Sequence, residues 1–81
     1  MKHQSIVSKF TKAGMKIEVN GNREHWVKGP EYTVSWFEQN GKAVCLHVCR
    51  NGLESDSMTD YFPGFFPKSL SLAFEYAQKG A

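Results

Sequence analysis

The sequence predicts an α+β fold in which an antiparallel meander of four or five strands packs against a carboxy-terminal helix, with a short amino-terminal helix. Three Asn-Gly dipeptides, at positions 20–21, 40–41 and 51–52, indicate strand connections, because Asn-Gly tolerates the positive φ angles of tight hairpin turns. Alternating apolar and polar residues flank these dipeptides, and an amphipathic stripe closes the chain. At 81 residues the chain is predicted to form one domain, residues 1–81.

The first element is predicted to be a helix over residues 5–13, with Ser5 as its N-cap and Gly14 just beyond its end. Its apolar residues recur at helical spacing. Alternation then predicts a strand over residues 15–19, which the first Asn-Gly pair turns into a second strand over residues 23–27.

The central hairpin is predicted to join strands over residues 32–38 and 42–49 through the second Asn-Gly pair. The third pair leads to a weaker, polar strand within residues 53–61. The last element is predicted to be a helix from about residue 67 to 79, with an apolar stripe that begins at Phe66.

The central hairpin also predicts which side chains share a face. If Asn40 and Gly41 form the whole loop, paired residues have numbers that sum to 81, and the same rule at Asn51 and Gly52 gives pairs that sum to 103. Side chains alternate between two surfaces. The more aliphatic surface is expected to pack on the helices and holds Thr33, Ser35, Phe37, Val44, Leu46, Val48 and Tyr61. The other surface is expected to be partly exposed and holds Tyr32, Val34, Trp36, Glu38, Cys45, His47, Cys49, Asp56, Met58 and Asp60.

Charge is unevenly distributed along the chain. Residues 1–30 carry six basic and two acidic side chains, whereas residues 31–81 carry four basic and six acidic ones, giving the net charge of +2. A basic amino-terminal half is suited to a phosphate-bearing ligand or an acidic protein face, and it also fits an ordinary solvated surface.

The cysteines and the hydropathy pattern indicate a cytoplasmic protein. Cys45 and Cys49 are predicted to be unpaired, because residues four apart in one strand lie about 13 Å apart. Free thiols are typical of a reducing compartment. The sequence contains no apolar run of membrane-span length and no signal-peptide core, so no membrane partner is expected.

No catalytic, metal or cofactor motif is present in the sequence. Cys45, His47 and Cys49 alternate along a strand and lack the tight knuckle spacing of zinc ligands. His47 and Asp56 pair across the predicted sheet, but no nucleophile elbow or oxyanion hole accompanies them. We therefore expect no enzymatic activity, no bound metal and no cofactor.

The most suggestive functional group combines aromatic and basic side chains, and the predicted binding residues are Trp26, Tyr32, Trp36, Arg23 and Lys28. Tryptophan, tyrosine and arginine dominate the binding energy of protein interfaces. The same residue types stack on nucleic-acid bases while cations hold the phosphates. A third interpretation is that these aromatics complete a small core, as at least one tryptophan is expected to do.

Three stretches, Tyr-Thr-Val-Ser-Trp-Phe at 32–37, Asn-Gly-Lys at 40–42 and Thr-Asp-Tyr-Phe-Pro-Gly at 59–64, precede the closing helix. Over roughly residues 14–79 this pattern resembles small uncharacterised accessory proteins of bacteriophages and integrated mobile elements. The resemblance implies a protein of the bacterial cytoplasm that acts on host or defence machinery. The order of elements also resembles double-stranded-RNA-binding domains, but the lysine cluster that opens their final helix is missing.

The leading hypothesis is a non-enzymatic accessory protein that binds and modulates a host, defence or phage protein. The alternative is a nucleic-acid-binding module that uses the basic amino-terminal half together with the sheet aromatics. The sequence leaves open whether the protein is a monomer or a homodimer.

Overall fold

A computed structural model describes residues 1–52 and 64–80, and this part of the chain contains two helices and five strands. In chain order the elements are α1 His3–Lys12, β1 Glu18–Val19, β2 Glu24–Lys28, β3 Tyr32–Gln39, β4 Lys42–Arg50, β5 Gly64–Phe65 and α2 Leu70–Gln78. The strands form one antiparallel sheet whose spatial order equals the chain order. The predicted α+β meander is confirmed, while the strand predicted within residues 53–61 lies outside the described residues.

Both helices form near their predicted positions, with different starting residues. Lys2, and not Ser5, occupies the N-cap position of α1, and Gly14 follows its C-cap with a φ of 78°. The second helix begins three residues later than predicted, because the Ser69 side chain accepts a hydrogen bond of 3.2 Å from the Leu72 N–H and caps it. Among the described residues, neither helix is long and apolar enough to cross a membrane.

The turn between β3 and β4 is the two-residue hairpin that the sequence predicts. Asn40 and Gly41 have φ angles of 52° and 80°, and Gln39 pairs with Lys42 on either side of them. Two consecutive positive φ angles are the requirement of a type I′ turn, which Asn-Gly meets at low steric cost.

The first Asn-Gly pair lies in a loop that is displaced by one residue from the predicted residues 20–22. The Asn20 N–H donates to the Glu24 carbonyl oxygen at 3.0 Å, so residues 21–23 make the loop. Arg23 takes the left-handed conformation, with a φ of 63°. The Asn20 side-chain oxygen accepts hydrogen bonds from the Asn22 and Glu24 N–H groups, which holds the loop closed.

A bulge in β4 changes the register of the central hairpin. Phe37 pairs with Val44 as predicted, but beyond them Ser35 pairs with His47 and Val34 with Val48. Two residues of β4, Cys45 and Leu46, therefore lie opposite Trp36, and Cys45 has a φ of 57°.

Because of the bulge, the predicted assignment of the two faces of β3 is wrong. Val34 and Trp36 are 0% exposed and pack on the helices together with Val48, so the face that β3 was expected to expose is buried. Leu46 and Val48 lie on the helix side, as predicted, because the extra residue brings them into line with Val34 and Trp36.

The hydrophobic core lies between the sheet and both helices. One cluster of fully or almost fully buried residues contains Ile6, Phe10, Val27, Val34, Trp36, Val48, Ala73 and Ala77. The two alanines let α2 lie close to the strands, and Gly29 packs against the last turn of this helix near Ala77. Cys45 and Cys49 are not joined by a disulfide, as predicted; Cys45 is exposed and Cys49 is buried.

The amino terminus is joined to the sheet by backbone and side-chain hydrogen bonds. The His3 N–H donates to the Gly41 carbonyl at 3.0 Å, and the Ala43 N–H donates to the Met1 carbonyl at 2.9 Å. The Trp36 indole N–H donates to His3 Nδ1 at 3.1 Å. Burial, then the nearby His25, lower the pKa of His3, while Glu38 opposes them. The net lowering favours the neutral ring that this acceptor role requires.

Candidate functional site

The sheet has an outer face, opposite the two helices. Both helices contribute to the same core cluster and therefore pack on the same side of the sheet. The strand registers place the following residues on the outer face: Glu18, Glu24, Trp26, Lys28, Thr33, Ser35, Phe37, Val44, His47, Cys49 and Gly64. Among the described residues no helix covers this face, so its side chains are candidates for contact with a partner.

One row of side chains crosses the outer face from edge to edge. Trp26 pairs with Glu18 on one side and Ser35 on the other, and Ser35 pairs with His47. Continuing the register of β4 with β5 places Phe66 opposite His47, and the two rings are 5.3 Å apart. Neighbouring strands are about 4.8 Å apart, so Trp26 lies about 10 Å from His47 along this row.

Two large aromatic side chains in this row are exposed. Trp26 is 41% exposed and Phe66 is 71% exposed. Large aromatic side chains are usually well buried, so exposed apolar area of this kind is typical of an interaction surface. Lys28 and Glu24 flank Trp26 on the same strand and add charge of both signs.

The His47 ring packs closely against Gly64 of β5. A Cβ atom on Gly64 would lie 2.7 Å from the His47 ring nitrogen Nε2, so the glycine allows the imidazole to pack against β5. Burial lowers the pKa of His47, and the negative charge of Glu24 partly opposes this. The net lowering favours an uncharged ring at neutral pH, which suits its contact with the Phe66 ring.

The structure separates the five predicted binding residues. Trp26 and Lys28 lie on the outer face, whereas Arg23 lies in the β1–β2 loop with its guanidinium 3.7 Å from a Glu38 carboxylate oxygen. Tyr32 is half-buried on the helix side, where its ring is 4.9 Å from the ring of Tyr76.

Trp36 is a core residue, and its expected exposure is wrong. The indole ring is 5.8 Å from the ring of Phe10 and 5.6 Å from that of His25, both nearly parallel to it. A side chain enclosed in this way anchors the helices to the sheet and is not accessible to a partner.

The sequence prediction missed the other half of the row, formed by His47 and Phe66. Phe66 was expected in the apolar stripe of the last helix, but it precedes α2 and is exposed. The pairing of β5 with β4 brings it beside His47. The Gly64-Phe65-Phe66 segment predicts a place for Phe66 in the row only after the pairing of β5 with β4 is known.

The candidate metal ligands of the described residues lie apart from one another. Within residues 1–52 and 64–80, no three histidine, cysteine or acidic side chains lie close enough together to hold a metal ion. The predicted pair of His47 and Asp56 falls partly outside the described residues.

The basic amino-terminal half does not form a single patch. Lys28 lies on the outer face, whereas Lys2, Lys9 and Lys12 belong to α1 and its N-cap, on the helix side. The alternative hypothesis, in which this half and the sheet aromatics bind one nucleic acid together, therefore requires contacts on two opposite sides of the sheet.

No family model, no curated protein and no solved structure matches this chain. A fold by itself does not define a function, because the same architecture supports many unrelated activities. The residues on the two surfaces of the sheet–helix sandwich are therefore the basis for the functional inference.

Proposed function

We propose that this chain is a non-enzymatic accessory protein that binds another protein through the outer face of its sheet, with Trp26 as the central anchor. The observation that carries the proposal is the 41% exposure of Trp26 in the row that crosses this face. Tryptophan is the residue type most enriched among side chains that dominate binding energy, and such residues cluster near the centre of an interface.

The composition of the outer face supports a protein partner. Trp26, Phe37, Val44 and Phe66 supply apolar area, and Ser35 adds a hydroxyl group within the row. Lys28 and Glu24 supply charges at its margin. An apolar centre with a polar rim is the usual anatomy of a specific protein interface.

The identity of the partner is inferred from the resemblance to phage and mobile-element proteins. Such a small protein acts by occupying a surface of a larger one, and the partner proposed here is a host, defence or phage protein of the bacterial cytoplasm. Arg23, at the loop end of β2, and Lys28, at the opposite end, are proposed to orient this partner by charge.

Replacing Trp26 with Ala is expected to weaken partner binding by about 30-fold or more, because losing an anchor residue costs about 2 kcal/mol or more. The partner is first captured from a bacterial lysate with the tagged wild-type protein and then purified. Its Kd for each variant is measured by calorimetry, with circular dichroism confirming that the variants are folded.

The matched control is Val19→Ala, which trims an apolar side chain that is 56% exposed and pairs with His25, outside the outer-face row. Its Kd is expected to equal that of the wild type. If the captured protein binds the Trp26 and Val19 variants equally well, the outer face is not the binding surface.

A further inference from the structure

We propose that a groove between α1 and α2 binds single-stranded nucleic acid, holding its phosphates with lysines and one base against an aromatic ring. This surface lies on the helix side of the molecule and is independent of the outer face. The groove is open, with a volume of about 850 Å³. Its lining includes Lys2, Lys9 and Lys12 from α1 and its N-cap, and Phe74 from α2.

The groove carries positive charge with no neighbouring acid on its helix. Residues 1–17 include four lysines and no aspartate or glutamate. Lys9 and Lys12 are three residues apart, about 4.5 Å along the helix axis, and Lys2 lies about 15 Å from Lys12 along that axis. Three cations over this length match a short run of backbone phosphates rather than a single small anion.

Among the described residues, the groove lysines have no ionic partner within 4.0 Å. Within residues 1–52 and 64–80, the ion pairs are Lys16 with Glu18 and Arg23 with Glu38, and neither pair includes a lysine of the groove. The positive charge of the groove is therefore not neutralised by the described part of the chain. Phosphate is a ligand that would neutralise it.

An unfavourable contact at one end of the groove also favours an anion. A β-bridge pairs Lys2 with Lys42, and residues directly opposite each other have Cβ atoms about 5 Å apart. Like charges in this arrangement repel each other and destabilise the pair. A phosphate bound beside Lys2 would reduce the repulsion.

Phe74 gives the groove a surface on which a base can stack. Its ring is half-buried, lies 5.5 Å from the ring of Phe10, and has the Lys9 ammonium 4.7 Å from its centroid. An aromatic ring beside cations is the arrangement with which proteins bind single strands. A duplex keeps its base faces stacked internally, so this ring favours an unpaired strand over a duplex.

The test is a fluorescence-anisotropy titration of the full chain with a labelled oligothymidylate of about 16 nucleotides and with a duplex of the same length. We expect saturable binding of the single strand that weakens about 20-fold between about 50 mM and about 200 mM salt. This corresponds to three phosphate contacts at a slope of about −0.7 each. The duplex is expected to bind more weakly.

Two double variants with the same change in net charge distinguish phosphate binding in the groove from a general effect of net charge on affinity. The double substitution Lys9→Gln and Lys12→Gln is expected to reduce the total salt slope from about −2 to about −0.7. The control, Lys68→Gln with Lys79→Gln, removes the same charge from exposed positions outside the groove and is expected to leave the slope unchanged. Phe74→Leu is expected to weaken binding about 10-fold without changing the slope.

Three results would overturn the proposal: no saturable binding of the single strand at the lower salt concentration, duplex binding as tight as single-strand binding, or equal salt slopes for the two double variants. None of these results bears on the Trp26 interface, because these variants change no residue that the strand registers place on the outer face.

Discussion

Replacing Trp36 with Ala is expected to lower the free energy of unfolding by about 3 to 5 kcal/mol, the usual cost of removing a large aromatic side chain from a core. Trp36 is 0% exposed and contacts Phe10 of α1 and His25 of β2. Domains of this size have a stability near the lower end of about 5 to 15 kcal/mol, so the variant is expected to retain only about 0 to 2 kcal/mol and to unfold at a much lower urea concentration than the wild type.

Trp36→Phe separates the packing of this residue from its hydrogen bond. The phenyl ring retains much of the apolar area but cannot donate to His3 Nδ1, so a smaller loss of about 1 to 2 kcal/mol is expected. Urea unfolding followed by circular dichroism measures both variants. A loss for Trp36→Ala no greater than that for the exposed control Trp26→Ala would contradict the core position of Trp36.

Replacing Gly29 with Ala is expected to destabilise the protein by about 3 kcal/mol, at the upper end of the usual cost of overpacking. A Cβ atom at this position would collide with the carbonyl oxygen of Ala77 and lie 2.9 Å from its carbonyl carbon. Both are backbone atoms of α2 and cannot rotate away. The Gly29 backbone is itself fixed, because its N–H donates to the Tyr32 carbonyl at 2.8 Å and its carbonyl accepts from the Asn51 side chain at 2.8 Å.

Gly21→Ala is the matched control for Gly29→Ala. A Cβ atom on Gly21 would have no atom within 4 Å, and its φ lies outside the left-handed region. Urea unfolding midpoints are expected to fall for the Gly29 variant and to stay near the wild-type value for the Gly21 variant. Equal midpoints would mean that α2 does not pack closely on the β2–β3 connection.

Local chemistry was sufficient to predict most of the fold. The hairpin turn at Asn40 and Gly41 forms as expected, because its backbone requirement is met by those two residues alone. The same holds for the end of α1 at Gly14, which adopts a positive φ after the helix. These features depend on neighbours in sequence and are therefore visible in it.

The faces of the central hairpin could not be predicted in the same way. The bulge at Cys45 inserts one residue into β4, and cysteine carries no local signal for a positive φ. A shift of one residue exchanges the two faces of a strand relative to its partner. Val34 and Trp36 consequently pack with Val48, and the aliphatic surface expected opposite them does not form.

The candidate site shares this dependence on tertiary structure. Trp26 and Trp36 both lie in predicted strands, and alternation alone does not show which of the two is buried. β2 and β3 pair so that Val27 lies opposite Val34, and both side chains face the helices. Trp36 is two residues from Val34 and shares that face, whereas Trp26 is next to Val27 and faces outward. The separation of the α1 lysines from Lys28 likewise depends on where the first helix docks.

The central claim is that the sheet directs Trp36 into the core and Trp26 outward, and iodide quenching of tryptophan fluorescence in two single-tryptophan variants tests it most directly. In Trp36→Phe, the remaining Trp26 is expected to emit at long wavelength and to be strongly quenched. In Trp26→Phe, the remaining Trp36 is expected to emit at shorter wavelength and to be protected. Equal quenching of the two variants, or stronger quenching of Trp36, would contradict the assignment of the faces and with it the proposed interface.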